Sequence, residues 1–190
     1  MKIGFFGGTF NPIHHGHLIV ARDAVEHLGL DRLYFVPAAV SPHKLETPLP
    51  SPELRAQMVE AAIGDEPRFD LETYEVERPG APSYAVDTIL AMRERFGADA
   101  RFFYLIGRDN VPLLHTWRRI DELHRMVEFV VFNRGGEQEA FAPLPYVTLE
   151  RRIDLSATEV RNRVANRQSI RYLVPEGVRE LIALHSLYQS

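Results

Sequence analysis

Four short apolar runs, "KIGFF", "RLYFVP", "RFFYLIG" and "EFVVFN", recur along the chain, with amphipathic segments of helical length between them. Each run is too short for a buried helix and too continuous for a strand with one wet face. Each therefore reads as a strand covered on both sides. Strands of that kind, alternating with helices, specify a parallel sheet with helices packed on both faces.

The intervening segments carry their own boundaries. From His17 to Leu28 apolar residues recur at helical spacing, and Gly29 can end the helix. "SPELRAQMVEAAIG" opens with Ser51 as N-cap and Pro52 at the first helical position, and closes at Gly64. "SYAVDTILAMRERFG" and "RRIDELHRM" are two further helices, with a polar turn expected before the second. "RFDLETYEVER" alternates and is read as one or two strands near an edge, and "YVTLE" as a fifth core strand. The chain end, from "LSATEV" to "LHSLY", predicts two helices parted near Val174-Pro175. We expect a Rossmann-like, doubly wound α/β domain over 1–190, with a small C-terminal helical segment (about 156–187) packed at its edge.

Composition narrows the function classes. With 190 residues, 45% of them hydrophobic, the chain can bury a full core without staples. It has no cysteine, which excludes disulfides and Cys-ligated metal centres. The first strand begins at residue 2, leaving no room for a signal peptide, and no apolar run reaches membrane-spanning length. A soluble cytoplasmic protein is the expectation. A net charge of -4 argues against a nucleic-acid partner. Arg151, Arg152, Arg161, Arg163, Arg167 and Arg171 nonetheless crowd one late segment. They read either as a solvated helix face or as a site for a small polyanion.

In doubly wound sheets ligands bind beyond the carboxyl ends of the strands, where the strand order switches. The unusual stretches all fall there: "GGTFNPIHHGH", the long loop from "AAVSPHK", "GRDN" and "NRGG". The first packs two glycines, Asn11-Pro12 and three histidines behind a strand. It matches neither the P-loop nor the Gly-x-Gly-x-x-Gly fingerprint. The logic is similar, however: a glycine turn, then a helix N-terminus whose free N–H groups face an anion. Zinc is the competing reading, weakened because Pro12 and Gly16 break any regular helical face of histidines. A merely structural turn is the third.

His14-His15-Gly16-His17 resembles the His-x-Gly-His signature of the nucleotidyltransferases, and Ser156, Thr158 and Arg161 in "LSATEVR" resemble their Ser-x-Thr-x-x-Arg signature. "VPAAVSPHK", "SYAVDTI" and "IGRDNVPLLHTW" are similar to segments of the bacterial nicotinate mononucleotide adenylyltransferase family, and the resemblance runs from residue 3 to about 185. It implies adenylyl transfer from ATP to nicotinate mononucleotide, giving deamido-NAD and pyrophosphate. Two other readings stay open, a nicotinamide mononucleotide adenylyltransferase and a catalytically inactive nucleotide-binding regulator. Partners would be small molecules, with neither nucleic acid nor membrane, and homo-oligomerisation is left open.

The resemblance also implies roles. His14, His17, Lys44 and Arg161 would be catalytic. Gly8, Thr9, Phe10, Gly107, Asp109, Ser156 and Thr158, with Arg161, would hold ATP. Lys44, Ser83, Tyr84, Ala85, Trp117 and Arg134 would meet the mononucleotide. Lys44 is one of only two lysines, so a phosphate contact is a reasonable use for it; chance is the alternative. A lone Trp is usually core, whereas the resemblance has an aromatic here stack on the pyridine ring. Mg²⁺ would enter through the ATP phosphates and water, without a protein cage. Two positions depart from the family pattern: Asn11 stands where Asp is usual, and Ala85 replaces the commoner Thr.

Overall fold

The computed structural model describes residues 1–39, 49–64, 66–78, 82–133 and 144–189. Its elements are β1 (Lys2–Gly8), α1 (His15–Leu28), β2 (Arg32–Pro37), α2 (Pro52–Ile63), β3 (Phe69–Leu71), α3 (Ala85–Phe96) and β4 (Arg101–Gly107). A 3₁₀ helix (Arg108–Thr116) then leads to α4 (Ile120–Met126), β5 (Val127–Asn133), β6 (Tyr146–Glu150), α5 (Ala157–Ala165) and α6 (Glu176–Leu184). All six described strands are parallel, in the order β3-β2-β1-β4-β5-β6.

Alternation along each strand divides the core into two layers. On β1, Phe6 packs into the layer under α1, α2, α5 and α6, whereas Ile3 and Phe5 pack with α3, the 3₁₀ helix and α4. Neighbouring strands continue the split: Phe35 joins the first layer, and Tyr34, Phe102 and Tyr104 the second. Phe5, Phe35, Phe102 and Phe129 are fully enclosed. Each contributes about 1.5–3 kcal/mol of burial.

The helix ends follow the sequence cues. Ser51 Oγ accepts from the Leu54 N–H at 3.2 Å, and Gly29 ends α1 in the left-handed region (φ 61°). Three expectations are corrected. Helix α1 starts at His15 rather than His17, because His14 is its N-cap. The polar turn after β4 is a nine-residue 3₁₀ helix containing Pro112. "RFDLETYEVER" pairs only over Phe69–Leu71. Beyond it Glu72 Oε1 accepts from the Tyr74 N–H (3.1 Å), and Thr73 Oγ1 donates to Glu77 Oε1 (2.6 Å). A local turn replaces the ladder there, with the Glu77 N–H donating to Thr73 O at 2.9 Å. Among the described residues no helix is long and apolar enough to cross a membrane.

The order places β1 beside β4, so the switch point lies where both strands end in glycine, at Gly8 and Gly107. One residue earlier, a Cβ on Gly7 would lie 2.4 Å from Tyr104 Oη, on a ring buried in the core. Gly7→Ala is therefore expected to cost about 1–3 kcal/mol by overpacking. At this chain length that lowers Tm by roughly 2–12 °C, measurable by calorimetry.

Candidate active site

The turn between β1 and α1 is built against the core. Phe10 takes φ 45°, and its ring sits 5.6 Å from Phe6, 5.8 Å from Phe35 and 5.2 Å from His17. A side chain on Gly8 would meet the Phe10 ring at 2.9 Å, so the strand end must be bare for the turn to fold over it. A Cβ on Gly16 would lie 2.9 Å from His14 Nδ1, so that glycine lets the imidazole lie against the first turn of α1.

His14 and His17 stack with centroids 3.8 Å apart, and the His14 N–H donates to His17 Nδ1 at 3.2 Å. With Nδ1 an acceptor, a neutral His17 carries its proton on Nε2, which is thereby a donor. Both rings lie at the N-terminus of α1, where the helix dipole is positive and the first turn holds no acidic residue. Among the described residues no three His, Asp or Glu gather as metal ligands.

The late signature reaches this turn across the chain. Ser156 caps α5, its Oγ accepting from the Glu159 N–H at 3.1 Å, which leaves the hydroxyl proton for another acceptor. Arg161 donates through Nη1 to Asn11 O (2.8 Å) and through Nη2 to Thr158 Oγ1 (3.1 Å). Thr158 is exposed.

The other half lies past β4 and at α3. A Cβ on Gly107 would lie 2.5 Å from Asp109 Oδ1, so that carboxylate folds back over the strand end. Trp117 packs edge-on against Tyr104 (5.9 Å) and Phe129 (6.2 Å) and is half-buried. Its buried Nε1 finds no hydrogen-bond partner among the described residues. Tyr84 is the N-cap of α3, and its side chain makes no capping hydrogen bond; Ala85 is the first residue of the helix. Lys44 and Arg134 lie outside the described residues.

Three residues that no motif indicated tie these pieces together. Arg55, 1% exposed, donates through Nη1 to Thr9 O (2.7 Å), through Nη2 to Ala39 O (3.0 Å) and through Nε to Pro50 O (3.2 Å). Glu75 is buried and accepts from Thr88 Oγ1 at 2.8 Å. Ser83 Oγ accepts from the Ala39 N–H at 2.8 Å. Ser83, which the resemblance places at the substrate, thus also braces the neighbouring loop. Tyr188 Oη donates to Asn11 Oδ1 at 2.7 Å. The sequence signal for Arg55 was an arginine among the buried Ala56, Met58 and Val59; Tyr188 had none.

The family model described as cytidylyltransferase-like matches residues 5–163. A protein of Geobacillus thermodenitrificans named "Probable nicotinate-nucleotide adenylyltransferase" is 44% identical over 98% of this chain and 86% of its own length. A relative of the same name from Lactiplantibacillus plantarum is 42% identical over 100% of this chain and 89% of its own length. Plasmodium falciparum nicotinic acid mononucleotide adenylyltransferase complexed with NaAD superposes with a TM-score of 0.79 at 17% identity, covering 98% of this chain and 97% of that one. At that identity the structural likeness concerns the fold.

Burial pushes the Glu75 carboxyl above its ordinary pKa, while the Ser83 and Thr88 hydrogen bonds and the Arg55 charge act in the opposite direction. A carboxyl raised on folding favours the folded state fully below its unfolded pKa, and that contribution is lost as pH rises through the folded value. Glu75→Gln cannot ionise and keeps one acceptor oxygen. Melting curves of variant and parent between about pH 4 and 8 should show the difference moving in the variant's favour as pH rises. A constant difference would mean that Glu75 does not titrate on this path.

Proposed function

The chain belongs to the cytidylyltransferase-like family, among its nicotinate-nucleotide adenylyltransferases, and we infer that it transfers the adenylyl group of ATP to nicotinate mononucleotide in NAD biosynthesis. The observation that carries this reading is the junction of the two signatures. Arg161 of the late motif donates to Asn11 O in the turn that leads into the early one, which ties α5 to the entry of α1.

In this reading the 5′-phosphate oxygen of the mononucleotide attacks the α-phosphorus of ATP. The bond to the bridging oxygen breaks, and pyrophosphate leaves with the electron pair. No enzyme nucleophile is needed, so catalysis consists of alignment and of stabilising charge on the transferring group. His17 Nε2 and His14 donate at the α-phosphate, while the turn at Gly8, Thr9 and Phe10 lets the nucleotides approach the main chain. The hydroxyls of Ser156 and Thr158, with Arg161, hold the outer phosphates. Gly107 and Asp109 meet the ATP ribose. Lys44 and Arg134 serve phosphates, and Trp117 and Tyr84 border the pyridine. The donor set of imidazoles, hydroxyls and a guanidinium suits phosphate oxygens rather than a hard cation. Mg²⁺ would accordingly be held by ATP oxygens and water and would neutralise phosphate charge.

His17→Ala is expected to lower kcat by about 100- to 1,000-fold with a much smaller change in KM for ATP. A donor aimed at transition-state charge supplies about 2.7–4 kcal/mol, much of it absent in the ground state. Steady-state pyrophosphate release measures both, and a variant retaining most of its kcat removes His17 from this role.

The pyridine substituent gives the test of substrate. The N-terminus of α3, where Tyr84 makes no side-chain capping bond, presents amide donors and a positive dipole end, which favour the carboxylate of nicotinate. The amide of nicotinamide turns an N–H₂ toward those donors, leaving one unpaired at roughly 1–3 kcal/mol. We expect at least about a tenfold preference in kcat/KM for nicotinate mononucleotide. Ala85→Thr should widen it if the hydroxyl reaches the carboxylate. Equal or reversed values assign the nicotinamide substrate instead, and no pyrophosphate with either mononucleotide assigns an inactive nucleotide-binding protein.

A further inference from the structure

The turn that sets His14 and His17 is clasped from outside by three groups on three different elements. Thr9 O accepts from Arg55 of α2 at 2.7 Å, and Asn11 O from Arg161 of α5 at 2.8 Å. The third is the phenol of Tyr188, past the end of α6, whose Oη donates to Asn11 Oδ1 at 2.7 Å across 177 positions of sequence. Asn11 is 6% exposed, so water does not readily replace that donor.

The turn needs such support. Phe10, between the clasped residues, has φ 45°, a left-handed conformation uncommon for a large side chain and maintained where surroundings over-determine it. The Thr9 peptide is trans, so its C=O and the Phe10 N–H point in opposite directions. A carbonyl drawn toward α2 therefore sends the amide away from α2. Asn11 is held at its side chain by Tyr188 and at its carbonyl by Arg161, three residues before the N-cap His14. Tyr188 itself takes φ 61°, a left-handed conformation. Burial pushes its pKa up, against the lowering effect of Arg161 and Arg55, so the phenol stays a donor across the range in which enzymes are assayed.

We propose that Tyr188 is a positioning residue for adenylyl transfer. Its hydroxyl fixes Asn11, and thereby the turn that aims the His14 and His17 donors at the reacting phosphate. It touches no substrate. The proposal rests on the adenylyl-transfer reading above and deepens it, because it assigns part of the catalytic geometry to the last residues of the chain.

Tyr188→Phe removes one oxygen and keeps the ring that packs against the core. We expect kcat to fall about tenfold or more, KM for ATP and for nicotinate mononucleotide to move less than about threefold, and Tm to stay within a few degrees, as for misaligned donors in an otherwise intact site. Amide hydrogen exchange without substrate should quicken over residues 9–17 and not at the start of α3. In Tyr188→Ala, p-cresol should restore part of the lost kcat and toluene should not.

A Tyr188→Phe enzyme with parental kcat and parental exchange overturns the proposal. So does a loss confined to KM, or rescue by toluene as good as by p-cresol, since either leaves the ring with a packing role only. Failure of the parent enzyme to release pyrophosphate from ATP and nicotinate mononucleotide overturns the functional reading instead. The exchange comparison still decides the contact in that case.

Discussion

The guanidinium of Arg55 is the point through which the site's loops are tied to the body of the fold. It is buried and bonds to carbonyls of the turn after β1, the end of β2's loop at Ala39, and the entry to α2 at Pro50. Burying a cation without a paired carboxylate costs several kcal/mol. Three charge-assisted hydrogen bonds, each about 1.5–3 kcal/mol, offset that cost. The planar fork reaches three carbonyls at once, which the point charge of a lysine would not do with the same geometry. Ala39 is held on both sides, its carbonyl by Arg55 and its N–H by Ser83 Oγ. Displacing any of these groups leaves a buried polar partner behind.

The last third of the chain completes what α2 begins. Arg151 makes a bidentate pair with Asp23 of α1 at 2.6 Å through each nitrogen, and the His15 N–H donates to Leu173 O at 3.0 Å. Helix α6 packs close to α2, where a Cβ on Gly177 would lie 3.1 Å from Ala61 Cβ. Helix α1, whose N-terminus carries the imidazoles, is therefore held between the sheet and segments from the far end of the sequence. This wrap brings the chain around Arg161 and Leu173 against the turn before α1, so that two motifs far apart in sequence become neighbours.

What the sequence disclosed and what it hid divide along physical lines. Continuous apolar runs report burial on both faces, and glycine or proline at their ends reports where the ladder stops; the parallel sheet and the edge carrying the site could be read from those signals. Ser51, Pro52 and Gly64 marked α2 for the same reason. "RFDLETYEVER" misled because alternation records which residues face inward, not whether a partner strand exists; the Glu72 carboxylate and the Thr73 carbonyl accept from the Tyr74 and Glu77 N–H groups locally. The signatures drew attention to His14, His17 and Arg161, whereas nothing in the sequence pointed to the contacts of Arg55, Glu75 and Tyr188. Each of these acts through burial and long-range hydrogen bonding, which have no period and no fixed spacing. Only the arginine on an apolar helix face could have been questioned in advance.

Charge explains why those hidden groups matter. The chain is net negative, yet on this reading its substrates are both polyanions. Many surface arginines are matched by carboxylates: Arg32 by Asp70, Arg95 by Glu72, Arg101 by Glu128, Arg119 by Glu122 and Arg151 by Asp23. At the turn between β1 and α1 the pairing differs. Arg55 and Arg161 bond to carbonyls, and among the described residues neither has a carboxylate within salt-bridge distance. A carbonyl orients a guanidinium without cancelling its charge, so the field of both remains available to an anion in the turn. Asn11 fits this arrangement. It offers Tyr188 and Arg161 the acceptors that an aspartate would offer, while adding no negative charge where phosphates are to bind. The departure from the family's usual residue thus leaves the clasp in place and the local field more positive.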